Sequence, residues 1–118
     1  MDKIYSLETK DGITSIRFSK TPEMTDLVVI IDYLSENNLY ERRLWDLNPC
    51  GLNLNINQLQ EIALYGKSKF RKPSKLAIVA SDDLTYGLSR VFEVHREEEL
   101  VKTKVFRAEQ EARTWLME

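Results

Sequence analysis

From Leu76 to Ala80 the chain carries an unbroken apolar run, LAIVA. A run without apolar/polar alternation predicts a strand covered on both faces, as in a parallel sheet. The pattern then changes period. Leu84, Leu88, Val91 and His95 recur at helical spacing, flanked by Phe92 and Val94, so the spacing predicts an amphipathic helix whose stripe packs back on that strand. Ser81 is read as its cap, and Asp82 and Asp83 fall in its first turn, where the helix dipole favours negative charge. Gly87 lies beside the stripe and is expected to let helix and sheet approach closely. Asp83, Tyr86, Arg90 and Glu93 line the opposite side. That side reads either as a solvated face or, through Tyr86 and Arg90, as a hydrogen-bonding patch for a ligand or partner.

The rest of the chain alternates in the same way. Residues 4–8 and 13–19 show strand periodicity around Lys10, Asp11 and Gly12, which predicts an opening hairpin. Thr21 and Pro22 mark the start of a helix running to about Asn38, with Met24, Leu27, Val28, Ile31 and Leu34 as its core stripe. Val29, Ile30 and Tyr33 fall outside that stripe and are candidates for an oligomer surface. Residues 41–47 form the next strand, followed by a turn-like Asn48-Pro49-Cys50-Gly51. Asn55 or Asn57 caps a helix to about Phe70, with Ile56, Leu59, Ile62, Ala63 and Gly66 near one face. A last strand spans Val101 to Arg107, and a last helix presents Ala108, Ala112, Trp115 and Leu116 on one side. The expectation is a single α/β domain over residues 1–118: a mixed, mostly parallel five-stranded sheet with four helices, in the order β-β-α-β-α-β-α-β-α.

Composition narrows the function classes. Seventeen basic and nineteen acidic residues leave a net charge of −2, which argues against general affinity for nucleic acid or anionic membrane. No apolar stretch approaches the ~20 residues of a membrane span. The single cysteine excludes an internal disulfide, and MDKIYSLE carries neither a signal peptide's apolar core nor a lipidation motif, so a cytoplasmic protein is expected. The basic run Lys67, Lys69, Arg71, Lys72 and Lys75 reads as cations at a helix C-terminus and in a solvated loop, or as a site for an anion or an acidic partner.

Taken together, Ala77-Ile78-Val79, Tyr86-Gly87-Leu88 with Arg90 and Phe92, Phe106-Arg107, Glu111-Ala112 and Trp115-Leu116 resemble the C-terminal half of SpoIIAA-like proteins. That family is related to STAS domains and, more distantly, to CRAL-TRIO lipid-binding domains. The resemblance implies this fold and a regulatory or binding role. STAS antagonists of anti-sigma factors carry a phosphorylatable serine or threonine where the third strand's loop enters the second helix. Here Asp46 matches the acid at the strand's end, but residues 46–62 contain no serine or threonine, so the phospho-switch does not carry over. A CRAL-TRIO pocket draws on an additional helical lobe, for which 118 residues leave no room. A small apolar pocket remains compatible.

Catalysis needs convergent groups, and the chain offers one histidine and one cysteine, with no P-loop and no Rossmann glycine pattern. His95 reads as a packed, structural residue. No metal or cofactor is expected. Open α/β sheets bind ligands beyond the carboxyl ends of their strands. The candidate site is therefore the rim holding Asp46, Asn53, Asn55, Ser81, Asp82, Asp83, Tyr86 and Arg90. The expected function is a non-enzymatic module holding a partner protein or small amphiphile there; the alternatives are a homo-oligomeric, dimer-forming assembly domain or an enzyme using Cys50 or Asp46.

Overall fold

The computed structural model describes residues 4–39, 41–48 and 50–118. Pro49, part of the expected turn, lies outside them. The elements follow the expected order: β1 (Tyr5–Lys10), β2 (Ile13–Phe18), α1 (Met24–Glu36), β3 (Arg42–Asp46), α2 (Ile56–Lys69), β4 (Ser74–Val79), α3 (Asp83–Arg96), β5 (Val101–Phe106) and α4 (Glu109–Leu116). The strands lie in the sheet in chain order. β1 and β2 are antiparallel, and every later pairing is parallel. Asp11 and Gly12 both take positive φ, 55° and 77°, the conformation a two-residue hairpin turn requires.

Strand alternation sends side chains to two different covers. Ile16, Phe18, Leu76, Ile78 and Val105 face α1, α2 and α3, while Ile13, Leu44, Ala77 and Val79 face α4 through Ala112 and Leu116. The interior position of β4 between β3 and β5 accounts for its apolar run. Lys75 is the exception, and its Nζ donates to the carbonyl oxygens of Trp115 and Glu118 at 3.0 and 2.9 Å. That cation from the basic run therefore closes the C-terminus of α4. No described helix is long and apolar enough to cross a membrane.

In α1 the expected stripe holds, with Met24 and Val28 packed on the core, but one more residue joins it, and α3 is rotated from its expected face. In α1 the buried residues are Leu27, Ile30, Ile31 and Leu34, and Ile30 is only 1% exposed. Ile30 therefore does not belong to an oligomer surface; Val29 and Tyr33 do point outward, at 60% and 46% exposure. The helix also starts later than Thr21-Pro22: Glu23 caps it in a box with Asp26, and Thr21 instead donates to the Cys50 carbonyl at 2.7 Å.

In α3 the cap is Asp82, not Ser81. Its buried residues are Thr85, Ser89 and Arg96, with Leu88, Val91 and Phe92 half-buried, while Leu84 and Val94 are exposed. Gly87 is exposed, and a Cβ there would meet nothing within 4 Å. The close approach occurs at Gly66 of α2, where a Cβ would lie 3.1 Å from Arg96 Nε.

Candidate functional site

Because β3 and β4 are parallel and in register, with Asp46 beside Val79, the chain leaves both strands on the same rim. Asn48 joins the two exits: its Oδ1 accepts from Ser81 N–H at 2.6 Å. The rim residues are engaged chiefly with one another. Asp46 is buried, its carboxylate turned to the α4 side, where it accepts from Arg17 Nε at 2.9 Å and from Asn48 N–H at 3.0 Å. Asp82 accepts from Thr85 N–H, and that hydrogen bond holds its carboxyl below the usual carboxylate range. Arg107 donates to the Ser81 carbonyl, pairs with Asp83 at 2.9 Å and stacks over the Tyr86 ring. Arg90 pairs with Glu93, whose other oxygen accepts from Val105 N–H on β5. Asn55 caps α2 in a reciprocal box with Gln58. Asn53 is exposed and borders a shallow recess with Thr21, Met24 and Thr25. The structure thus gathers Asp46, Ser81 and Asp82 on one rim and gives most of their polar atoms structural partners.

Cys50 sits on the same rim, its thiol directed at the Leu47 and Gly51 carbonyls. Burial, and then the charge of Asp46, push its pKa up, away from the reactive thiolate. His95 lies in the last turn of α3, with Nε2 3.3 Å from Gln60 Nε2. Among the described residues, no group of three or more His, Cys, Asp or Glu side chains could hold a metal ion.

A largely apolar space lies beneath the rim. The segment after β3 alternates: Asn53 and Asn55 face solvent, whereas Leu47 and Leu54 are buried and Leu52 is half-buried. These leucines roof a cavity of about 50 Å³ between the sheet and α1, α2 and α3. Its walls are largely apolar, from Leu27, Leu59, Ile62, Ile78 and Phe92, with the Trp45 indole, whose buried Nε1 has no hydrogen-bond partner among the described residues, and with polar groups toward the amino ends of the strands. There Arg43, near the start of β3, and Arg96, the last residue of α3, line it, each 1% exposed, with Ser89 two turns before Arg96 on the same face of α3. Arg43 and Leu47 are four residues apart along the strand, so the polar end lies about 13 Å from the roof.

Each arginine is seated by specific contacts. Arg43 donates to Ser74 Oγ at 3.1 Å and lies 4.1 Å over the Phe70 ring. Arg96 Nη1 pairs with Glu98 at 2.8 Å. Its Nη2 and the Ser89 Oγ are buried and have no hydrogen-bond partner among the described residues. Burial of such donors costs free energy unless something accepts from them.

Across the sheet, beside α4, a polar groove of about 360 Å³ is bordered by Ser6, Lys10, Ser15, Arg17, Glu109 and Arg113. Its charges already alternate in a chain, with Arg17 between Asp46 and Glu109, and Arg113 between Glu109 and Ser15. The Arg113 hydrogen bond holds Glu109 below its usual pKa, and the bond to Asp46 raises that of Arg17. Both arginines of this groove are paired with carboxylates.

Neither Arg43, Ser89 nor Arg96 stands out in the sequence by the rule that apolar residues mark the core. The signals were there in another form: Arg43 shares strand parity with Trp45 and Leu47, and Thr85, Ser89, Phe92 and Arg96 follow spacings of four, three and four. Neither the comparison with protein-family models nor that with curated proteins found a match to the chain.

Proposed function

We propose that this domain is a non-enzymatic binding module, similar in kind to SpoIIAA-like proteins, that takes a small amphiphile into the cavity beneath the rim. The observation that carries the reading is the cavity itself, largely apolar in its lining and carrying the buried donors of Ser89 and Arg96. The ligand therefore lies under the rim loop rather than on it. A partner protein docked on Asp46, Asn48, Ser81 or Asp82 is less favoured, because those groups already hydrogen-bond within the chain. Catalysis through Cys50 is disfavoured by the raised thiol pKa. Native mass spectrometry of the full chain, together with thermal melts against short-chain acids, amides and alcohols, tests the proposal. A retained or stabilising small molecule is expected, and Leu54→Trp, which fills the roof, should abolish it. A bare mass with no stabilisation by any member of the panel would overturn the proposal.

Val29 and Tyr33, one turn apart and both exposed, favour a second reading in which α1 joins two copies. Sedimentation of the wild type as a dimer, dissociated by Val29→Asp, is the expected result. A wild-type monomer removes this reading.

A further inference from the structure

Resting on the proposal that the cavity holds a ligand, we infer that its occupant is a small monocarboxylate, bound with the carboxylate at Arg96 and Ser89 and its aliphatic body toward Leu54. Two buried donors line the cavity from one face of α3, Ser89 and, two turns later, Arg96, whose side chain leans back toward the helix's amino end. Arg96 Nη2 and Ser89 Oγ have no acceptor among the described residues, although Arg96 is seated through Nη1 on Glu98. A carboxylate accepts through both oxygens and so can satisfy a guanidinium N–H and a hydroxyl together. A phosphate brings further charged oxygens, and the leucine and isoleucine walls offer those no donors.

Apart from the Trp45 indole N–H and Arg43, which is seated on Ser74 and Phe70, the remaining lining is apolar, which suits a hydrocarbon body. The space is small: 50 Å³ accommodates the centres of roughly four water molecules, which points to a short or branched chain. Gly66 belongs to the same arrangement. A side chain there would press on Arg96 Nε, so α2 keeps clear the position the guanidinium occupies.

Calorimetric titration of the full chain with butyrate, butyramide and butanol separates head from body. Butyrate should bind at least about tenfold more tightly than either neutral analogue, the usual margin for a hydrogen bond to a charged group. Ser89→Ala should weaken butyrate about tenfold while leaving the melting temperature unchanged or higher, since the hydroxyl it removes has no partner in the free protein. If the three probes bind equally, the carboxylate assignment is overturned and the ligand cavity stands. If none binds, and acetate and hexanoate fail as well, both fall, and the two donors are served by water alone.

Discussion

Arg96 occupies the space that a side chain on Gly66 would need: a Cβ at residue 66 would stand 3.1 Å from Arg96 Nε. The guanidinium is 1% exposed and tied to Glu98, so it cannot swing aside into solvent. Glycine within a helix ordinarily costs about 0.5–1 kcal/mol relative to alanine. At residue 87, where a Cβ would meet nothing within 4 Å, Gly87→Ala should recover that amount. Gly66→Ala should lose more to the displaced arginine than it gains, leaving the two variants about 1 kcal/mol or more apart. Urea unfolding of both measures the difference; equal stabilisation would mean that Arg96 is free to move.

Ile30 and Val29 are neighbours with opposite fates, at 1% and 60% exposure. Ile30→Asp buries an unpaired carboxylate against Leu27, Ile31 and Leu34 and should cost more than about 4 kcal/mol, enough to unfold many domains of this size. Val29→Asp should leave stability within about 0.5 kcal/mol of wild type. Circular dichroism melts distinguish them, and a folded Ile30→Asp protein would contradict the packing described for α1.

The element order was legible because the chain punctuates itself: Asp11-Gly12 at the hairpin, asparagine before α2, and the apolar run of β4, a strand covered on both faces. The rotation of α3 was not. Placing Leu84 inward follows from the rule that apolar residues face the core, yet the residues the helix buries fully are Thr85, Ser89 and Arg96, with Leu88 only packed at the core's margin, and Leu84 is 70% exposed. A helix that buries polar groups around a cavity defeats a hydrophobicity count, and the proposed site lies where that count fails. The rim itself was legible: Asp46 and Ser81 emerge together because parallel strands end together. What the pattern could not reveal is that their polar atoms are already engaged.

The sequence leaves two asparagines able to cap α2, and the structure selects Asn55, whose Oδ1 accepts from Gln58 N–H at 2.8 Å while Gln58 Oε1 accepts from Asn55 N–H. Asn55→Ala should therefore cost about 1 kcal/mol, whereas Asn57→Ala, inside the first turn, should be neutral or slightly stabilising. Denaturant midpoints for the pair check this. The reverse ranking would mean that the helix begins two residues later.

Cys50 should alkylate slowly. Burial and the nearby Asp46 carboxylate both disfavour its thiolate, so at neutral pH iodoacetamide should react well below the rate of an unhindered thiol, accelerating only as pH rises past the ordinary thiol range. Timed mass spectrometry between pH 7 and pH 10 follows the reaction. Reaction at the rate of a free thiol would reopen a nucleophilic role for this residue.

Acid should weaken the fold in a defined window. Three carboxylates are held below their usual pKa in the folded protein: Asp82 chiefly by the Thr85 N–H, Glu109 by the Arg113 hydrogen bond, and Asp32 by the Tyr65 hydroxyl. A depressed folded pKa stabilises the protein at every pH above the unfolded value, and that contribution disappears as pH falls through the folded one. Stability should thus be nearly level from pH 7 to pH 5 and decline below about pH 4.5, where unfolded carboxylates begin to take up protons. Asp82→Asn isolates one contribution, because asparagine caps a helix comparably but does not ionise. Its stability should approach that of wild type as the pH is lowered, with a shallower decline below pH 4.5. Parallel wild-type and Asp82→Asn curves would show that the Asp82 carboxylate gains nothing from the helix it caps.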